Sequence, residues 1–202
     1  GVAALVIVLS VMNGFSSELH QRLLSVTPDL VLEPSMPTMD ELSELARRAR
    51  EQPSVVAATP FQRATTLLQV GGRTRGATLI GAPTDGLISV INLGAHLVSG
   101  GLDSLVSEPF SVILGADLAR MLRVSPGDEV EVFLPRLTVS PLGVYPKSRL
   151  LKVVGLFSVG AGPDAREAYV SYETAHRLLG PSGRQGVQVK LRDRQLALTD
   201  QA

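Results

Sequence analysis

The segment 129–157, EVEVFLPRLTVSPLGVYPKSRLLKVVGLF, contains two predicted strands and the most unusual pattern in the chain. Apolar and polar side chains alternate over 129–134, and 150–157 is rich in branched apolar residues, so the sequence predicts a strand at each end. Residues 135–149 join these two strands. That connection is far longer than the roughly two to five residues of an ordinary hairpin loop.

The connection 135–149 combines stiff backbone, apolar side chains and positive charge. Three prolines favour extended backbone: Pro135, Pro141 and Pro146. Five positions are apolar where a loop in water would be polar: Leu137, Val139, Leu142, Val144 and Tyr145. No Asp or Glu occurs between Val132 and Pro163, whereas Arg136, Lys147, Arg149 and Lys152 are basic. Two interpretations follow: a projecting arm that docks a partner protein at low entropic cost, or an Ω-like loop folded back on its own sheet.

The region before this segment predicts a β-α-β unit. Residues 29–33 alternate as a short strand, and Thr38 with Glu41 has the spacing of a capping box for a helix ending near Gln52. Residues 54–70 are rich in Val, Thr and Ala and predict a long strand, with a bend at Pro60.

Further short elements are predicted after the glycine pair at 71–72. Strands are expected at 75–81, 111–114, 168–170 and 185–191, and helices at 85–91, 116–122 and 172–179. Asp193 is placed to cap a final helix. The pattern as a whole predicts an α+β fold.

The first twelve residues contain the apolar run VAALVIVLSVM at 2–12. Eleven residues are fewer than the about 20 that a spanning helix needs. A signal peptide, a buried core helix and the second half of a transmembrane helix are the three interpretations. Because the chain starts without Met and continues with Phe15, Leu19 and Leu23 at helical spacing, we expect 1–26 to be the end of a transmembrane helix and an amphipathic stalk.

Composition excludes several functions. The 202 residues carry 19 basic and 19 acidic side chains, which argues against nucleic-acid binding. There is no Cys, so a thiolate metal site and a Cys nucleophile are excluded, and three widely spaced His do not suggest a metal site. The glycines of 71–76 lack the Lys of a phosphate loop, and no nucleophile-elbow or zinc-helix motif occurs. We therefore expect no cofactor and no enzyme activity; a β-rich enzyme with an unrecognised site is the alternative.

Several stretches resemble the LolC/LolE family, the membrane subunits of the ABC transporter that releases lipoproteins from the bacterial inner membrane. They are VLSVMNGF at 8–15, GADLARML at 115–122 with PGDEV at 126–130, PLGVYPKSR at 141–149 and VGLF at 154–157. The Gly-Asp turn at 127–128 is shared more widely with MacB-type and FtsX-like permeases, which remain the alternative family. The long connection makes the chain similar to LolC-type or fused LolF-like subunits rather than to LolE.

This resemblance implies a MacB/LolC-type periplasmic domain attached to the inner membrane. Residues 27–73 and 183–202 would form a β-α-β porter subdomain, and 74–182 an inserted, β-rich sabre subdomain. The implied partners are the ATPase subunit LolD, a second permease subunit (LolE or a second copy), the lipoprotein substrates and the periplasmic carrier LolA.

The resemblance also implies that 135–149 is the hook that recruits LolA, with Leu142 at its apex. The implied hook residues are Pro135, Arg136, Leu137, Pro141, Leu142, Gly143, Val144, Tyr145 and Pro146. The implied neighbouring pad is formed by Lys147, Ser148 and Arg149. Two positions depart from the family pattern: Ser148 stands where a Gln is expected, and Glu131 lies near an expected Arg.

Overall fold

The computed structural model describes residues 28–35, 37–140, 143–160 and 162–192, and for 135–140, 143–146 and 182 it describes the backbone only. Within these ranges nine strands and five α-helices occur, which agrees with the predicted α+β class. The elements are β1 (Leu30–Leu32), α1 (Met39–Arg50), β2 (Val55–Val70), β3 (Arg73–Ala82), α2 (Thr84–Ser89), β4 (Leu97–Gly100), α3 (Ser104–Ser107), β5 (Ser111–Gly115), α4 (Ala116–Leu122), β6 (Glu129–Ser140), β7 (Gly143–Phe157), β8 (Glu167–Ser171), α5 (Tyr172–Leu179) and β9 (Arg184–Leu191).

Six of the strands close into a barrel. β2 pairs with β3, β3 with β8, β8 with β5, β5 with β7 and β7 with β6, and β6 pairs back to β2 through Leu67–Gln69 opposite Glu131–Phe133. The β3–β8 and β5–β7 pairs are parallel and the other four are antiparallel. A closed ring leaves its strands no open edge along the paired stretch.

Alternating apolar residues fill this ring. Leu68 on β2, Val132 on β6 and Val153 on β7 are fully buried in one hydrophobic cluster, while the neighbouring Leu67 and Leu150 are exposed. Helices α4 and α5 contribute further buried side chains to the same cluster: Leu118, Ala119, Leu122, Ala175, Leu178 and Leu179. Close packing of α5 depends on Gly81, because a Cβ there would lie 2.1 Å from the Cβ of Ala175.

The first half of β2 belongs to a side sheet in the order β1-β9-β2. Helix α1 covers one face of it, where Leu42 and Ala46 pack with buried residues of β2 and β9. The predicted capping box begins this helix: the Glu41 amide donates to Thr38 Oγ1, and the Thr38 amide donates to Glu41 Oε2. β2 passes from the side sheet into the barrel, so the two sheets share this strand, all of which lies within the predicted porter bounds 27–73.

The connection 135–149 is mostly strand: β6 continues to Ser140 and β7 begins at Gly143, whereas the predicted strands end at 134 and begin at 150. Leu137–Ser140 pairs in register with Gly143–Pro146, so β6 and β7 continue as a two-stranded hairpin beyond the barrel. We call residues 135–146 the arm. Beyond Phe133 on β6 and before Lys152 on β7, the two strands pair only with each other among the described residues.

The sequence of the arm explains why it pairs despite three prolines. β-branched and aromatic residues at 138, 139, 144 and 145 favour extended pairing. Pro135 lies in the register shift between Phe133 and Leu137, where three residues of β6 face one of β7. Pro146 lies in a two-stranded ribbon, where a proline nitrogen can point away from the partner strand.

The remaining predicted elements are confirmed within a few residues, with β2 continuous through Pro60. The short β4 and α3, which carry weak patterns, were not predicted. The predicted membrane helix and stalk at 1–26 and the helix starting at Asp193 lie outside the described residues. In the described part of the chain, no helix has the length and apolar composition needed to cross a membrane.

Candidate partner-binding site

The arm presents backbone edges that no described strand occupies. Such edges can pair with another chain, and natural proteins often limit this pairing with proline or with positive charge. The side chains of the predicted hook residues lie outside the described residues, and Pro141 and Leu142 lie outside them entirely. Their contact with a partner stays a prediction.

The predicted pad residues at the base of the arm do not share one face of β7. Side chains alternate along a strand, so Lys147 and Arg149 lie on the side of the buried Leu151, and Ser148 lies on the opposite side with the exposed Leu150. The Ser148 hydroxyl donates a hydrogen bond of 2.7 Å to Glu131 Oε1 across the β6–β7 pair. Ser148 and Glu131, the two residues that depart from the family pattern, are therefore hydrogen-bonded to each other.

Arg149 is exposed but stacked. Its guanidinium carbon lies 4.2 Å from the centre of the Phe110 ring, a cation–π contact. Phe110 is partly buried against the barrel cluster and comes immediately before β5. The ring therefore joins the base of the arm to the end of the barrel.

Phe110 holds a backbone conformation that aromatic residues rarely adopt, with φ at 57°. Its neighbours fix it there. The Phe110 carbonyl accepts a 3.0 Å bond from the Lys152 amide, and Lys152 Nζ lies 2.6 Å from Glu108 Oε2. The Ser111 hydroxyl lies within hydrogen-bonding distance of the Glu108 and Ser104 carbonyls, at 2.7 and 3.2 Å.

An apolar surface lies outside the barrel on the other side of the arm's base. Leu67 is 50 % exposed and Leu150 is 54 % exposed. Leu67 is paired with the half-buried Phe133, and both line a groove of about 530 Å³ that reaches Thr74 on β3. At the base of the arm, the basic residues Lys147 and Arg149 therefore lie on one face of β7, and the apolar surface with Leu67 and Leu150 lies on the other.

A cleft of about 510 Å³ lies between the segment before β5 and the start of α5. Phe110, Val106 and Tyr172 line it, and the Tyr172 hydroxyl is buried with no hydrogen-bond partner among the described residues. The charged residues Glu173 and Arg177 at its wall bond each other at 2.5 Å. Ser171 and Thr174 also line the cleft, and the Ser171 hydroxyl donates a 3.0 Å hydrogen bond to Thr174 Oγ1.

The clearest pKa shifts among buried groups occur within the sheet rather than at the arm. Burial raises the pKa of the Glu167 carboxyl, and burial raises the pKa of the fully enclosed Tyr169 hydroxyl well above its usual value. The Tyr169 hydroxyl donates a 2.6 Å hydrogen bond to Glu167 Oε2, so each of these two groups on β8 has a hydrogen-bond partner. No group of three His, Asp or Glu side chains among the described residues could hold a metal ion.

Sequence comparison matches residues 1–201 to the MacB-like periplasmic core domain family. Lipoprotein-releasing system transmembrane protein LolC from Xylella fastidiosa is 32% identical over 96% of this chain and 47% of its own length. LolC from Neisseria meningitidis is 34% identical over 79% of this chain and 39% of its own length. The chain spans about half the length of the curated relatives it matches, or less.

Comparison with solved structures finds a similar fold. The extracellular domain of the noncanonic ABC-type transporter YknZ matches with a TM-score of 0.52 and 16% identity, over 84% of this chain and 88% of that one. At that identity the match concerns the fold alone. The relatives are named as transmembrane proteins of a releasing system, which supports the prediction of a non-catalytic subunit.

Proposed function

The chain belongs to the MacB-like periplasmic core domain family and groups with LolC and LolE proteins, and on that premise we propose that its arm recruits the periplasmic carrier LolA to a lipoprotein-releasing transporter. In this proposal the domain lies in the periplasm and is attached to the bacterial inner membrane. Residues 27–73 and 183–202 are the porter subdomain, and 74–182 are the sabre subdomain that carries the arm.

The observation that carries the proposal is the extension of β6 and β7 beyond the barrel. Their paired backbone reaches Ser140 and Gly143, with no third described strand along the arm. The sequence of this segment contains the apolar residues Leu137, Leu142 and Val144, to which we assign contact with a partner. A paired, proline-bearing arm loses little conformational entropy on binding, which favours docking.

Positive charge at the base of the arm supports approach of an acidic partner. Arg136, Lys147 and Arg149 lie in a stretch with no Asp or Glu from 133 to 162, and such a stretch steers association with a protein of opposite charge. The residues to which we assign the main contact are Leu142 with the other hook residues, followed by Lys147 and Arg149.

Release of a lipoprotein requires work from another subunit. Each acyl CH₂ withdrawn from the membrane costs about 0.8 kcal/mol. Since this chain has no phosphate loop, we assign ATP hydrolysis to a separate LolD subunit, and the second permease to LolE or a second copy. The domain then acts by holding the carrier where the lipoprotein leaves the membrane.

Calorimetric titration of LolA into the detergent-solubilised full-length protein tests this assignment. We expect Leu142→Glu to weaken binding by roughly thirtyfold or more, because it places a charge in an apolar contact. Val98→Glu is the matched control: Val98 is 65 % exposed on β4, which pairs with the opposite end of β7. Equal affinity of the wild type and Leu142→Glu would reject LolA recruitment by the arm.

A further inference from the structure

Arg149 is a long side chain that would ordinarily sample many rotamers at a surface. Ordering such a side chain on binding reduces affinity. Here the guanidinium already lies over Phe110, 4.2 Å from the ring centre. The ring therefore restricts Arg149 before any partner arrives.

The positive φ of Phe110 indicates that the contacts of its aromatic ring stabilise this backbone conformation. Glycine or asparagine adopts a φ of 57° more easily than an aromatic residue does. The strain must be offset by what the ring contacts, which is the barrel cluster and the Arg149 guanidinium. The hydrogen bond from the Lys152 amide to the Phe110 carbonyl keeps the ring at this place.

Nearby carboxylates do not neutralise the two cations at the base of the arm. Glu108 pairs with Lys152 Nζ, and Glu131 accepts from Ser148 on the opposite face of β7. Within the described residues, neither Lys147 nor Arg149 takes part in an ion pair. Both side chains lie exposed on the same side of the strand.

We infer that Phe110 is a positioning residue that holds Arg149 beside Lys147, so that the two cations present a preformed site for a carboxylate on the carrier's surface. The inference rests on the proposed function and adds to it the chemistry of the contact. A planar guanidinium fixed in orientation can bond both oxygens of a carboxylate, which a mobile one does only after ordering.

A double-mutant cycle on the full-length protein tests the inference, with LolA affinity as the readout. Phe110→Leu removes the ring and keeps an apolar side chain, and we expect it to weaken binding about fivefold. Phe110→Tyr keeps the stacking face and should bind as the wild type does. In an Arg149→Gln background, Phe110→Leu should cause no further loss, because the residue it positions is gone.

Arg149→Lys provides a second variant that leaves Phe110 intact. Lysine keeps the charge but lacks the planar face and the bidentate fork, so we expect a loss close to that of Phe110→Leu. Full affinity in Arg149→Lys and Phe110→Leu, or an equal loss from Phe110→Leu with and without Arg149, overturns the positioning role. If the wild type binds no LolA, the proposed function fails and this inference fails with it.

Discussion

The barrel and the arm are built from the same two strands under different constraints. In the barrel, β6 and β7 each have a neighbour on both sides and contribute the buried Val132 and Val153 to a common core. Along the arm the same strands have only each other among the described residues. The difference indicates where stability and recognition reside: changes in the barrel should alter unfolding, and changes in the arm should alter binding.

The largest expected effect concerns the interior of the barrel. Leu68→Ala removes a fully buried side chain from the ring and should lower the free energy of unfolding by about 3 kcal/mol in urea denaturation. The adjacent Leu67 is 50 % exposed on the same strand, so Leu67→Ala should cost less than about 1 kcal/mol. Equal losses would contradict the closed ring and its alternating faces.

A smaller effect concerns the pH dependence of folding stability, to which Glu167 on β8 contributes. Because burial raises the pKa of Glu167, the folded state retains its proton more strongly than the unfolded state. The stability from this group is therefore present below its ordinary pKa and lost as the pH rises through the raised value. The melting temperature of Glu167→Gln minus that of the wild type should therefore increase when the pH rises from about 4 to about 7.

The Gln variant keeps an oxygen that can accept the Tyr169 hydrogen bond, so the comparison isolates the charge. Thermal unfolding of both proteins at the two pH values provides the measurement. The same difference in melting temperature at both values would show that Glu167 titrates as it does in the unfolded chain. LolA affinity should not change, because Glu167 lies on β8 rather than in the arm.

The smallest effect separates the two faces at the base of the arm. Ser148→Ala removes the bond to Glu131 and should lower stability by about 1 kcal/mol. It should change LolA affinity less than twofold, because Ser148 faces away from Lys147 and Arg149. Arg149→Gln is the matched comparison, with weaker binding and nearly unchanged stability. Comparable binding losses in both variants would show that the partner contacts both faces of β7.

Much of the barrel could be predicted from local sequence. The alternation in 129–134 identified the barrel part of β6, and Thr38 with Glu41 identified the start of α1, because these signals depend on neighbours a few residues away. Closure of the ring could not be predicted. It depends on the pairing of Leu67 with Phe133, two residues far apart in sequence.

The unusual length of the connection 135–149 is evident from the sequence, but its strand pairing was not predicted. Proline has no amide hydrogen for strand pairing, yet the register shift between Phe133 and Leu137 accommodates Pro135, and the unpaired side of a two-stranded ribbon accommodates Pro146. The role of Phe110 was missed because a stacking contact with Arg149 leaves no local pattern. A positive φ at an aromatic residue is equally invisible in sequence.

Photo-crosslinking in cells tests most directly whether the arm, rather than the barrel, meets the carrier. A photoreactive phenylalanine analogue would replace Leu142 in the full-length protein. In a second strain it would replace Val98 on β4, which pairs with the end of β7 opposite the arm. The account predicts a covalent adduct with LolA from position 142 and none from position 98. Equal adducts at both positions, or none at 142, would contradict it.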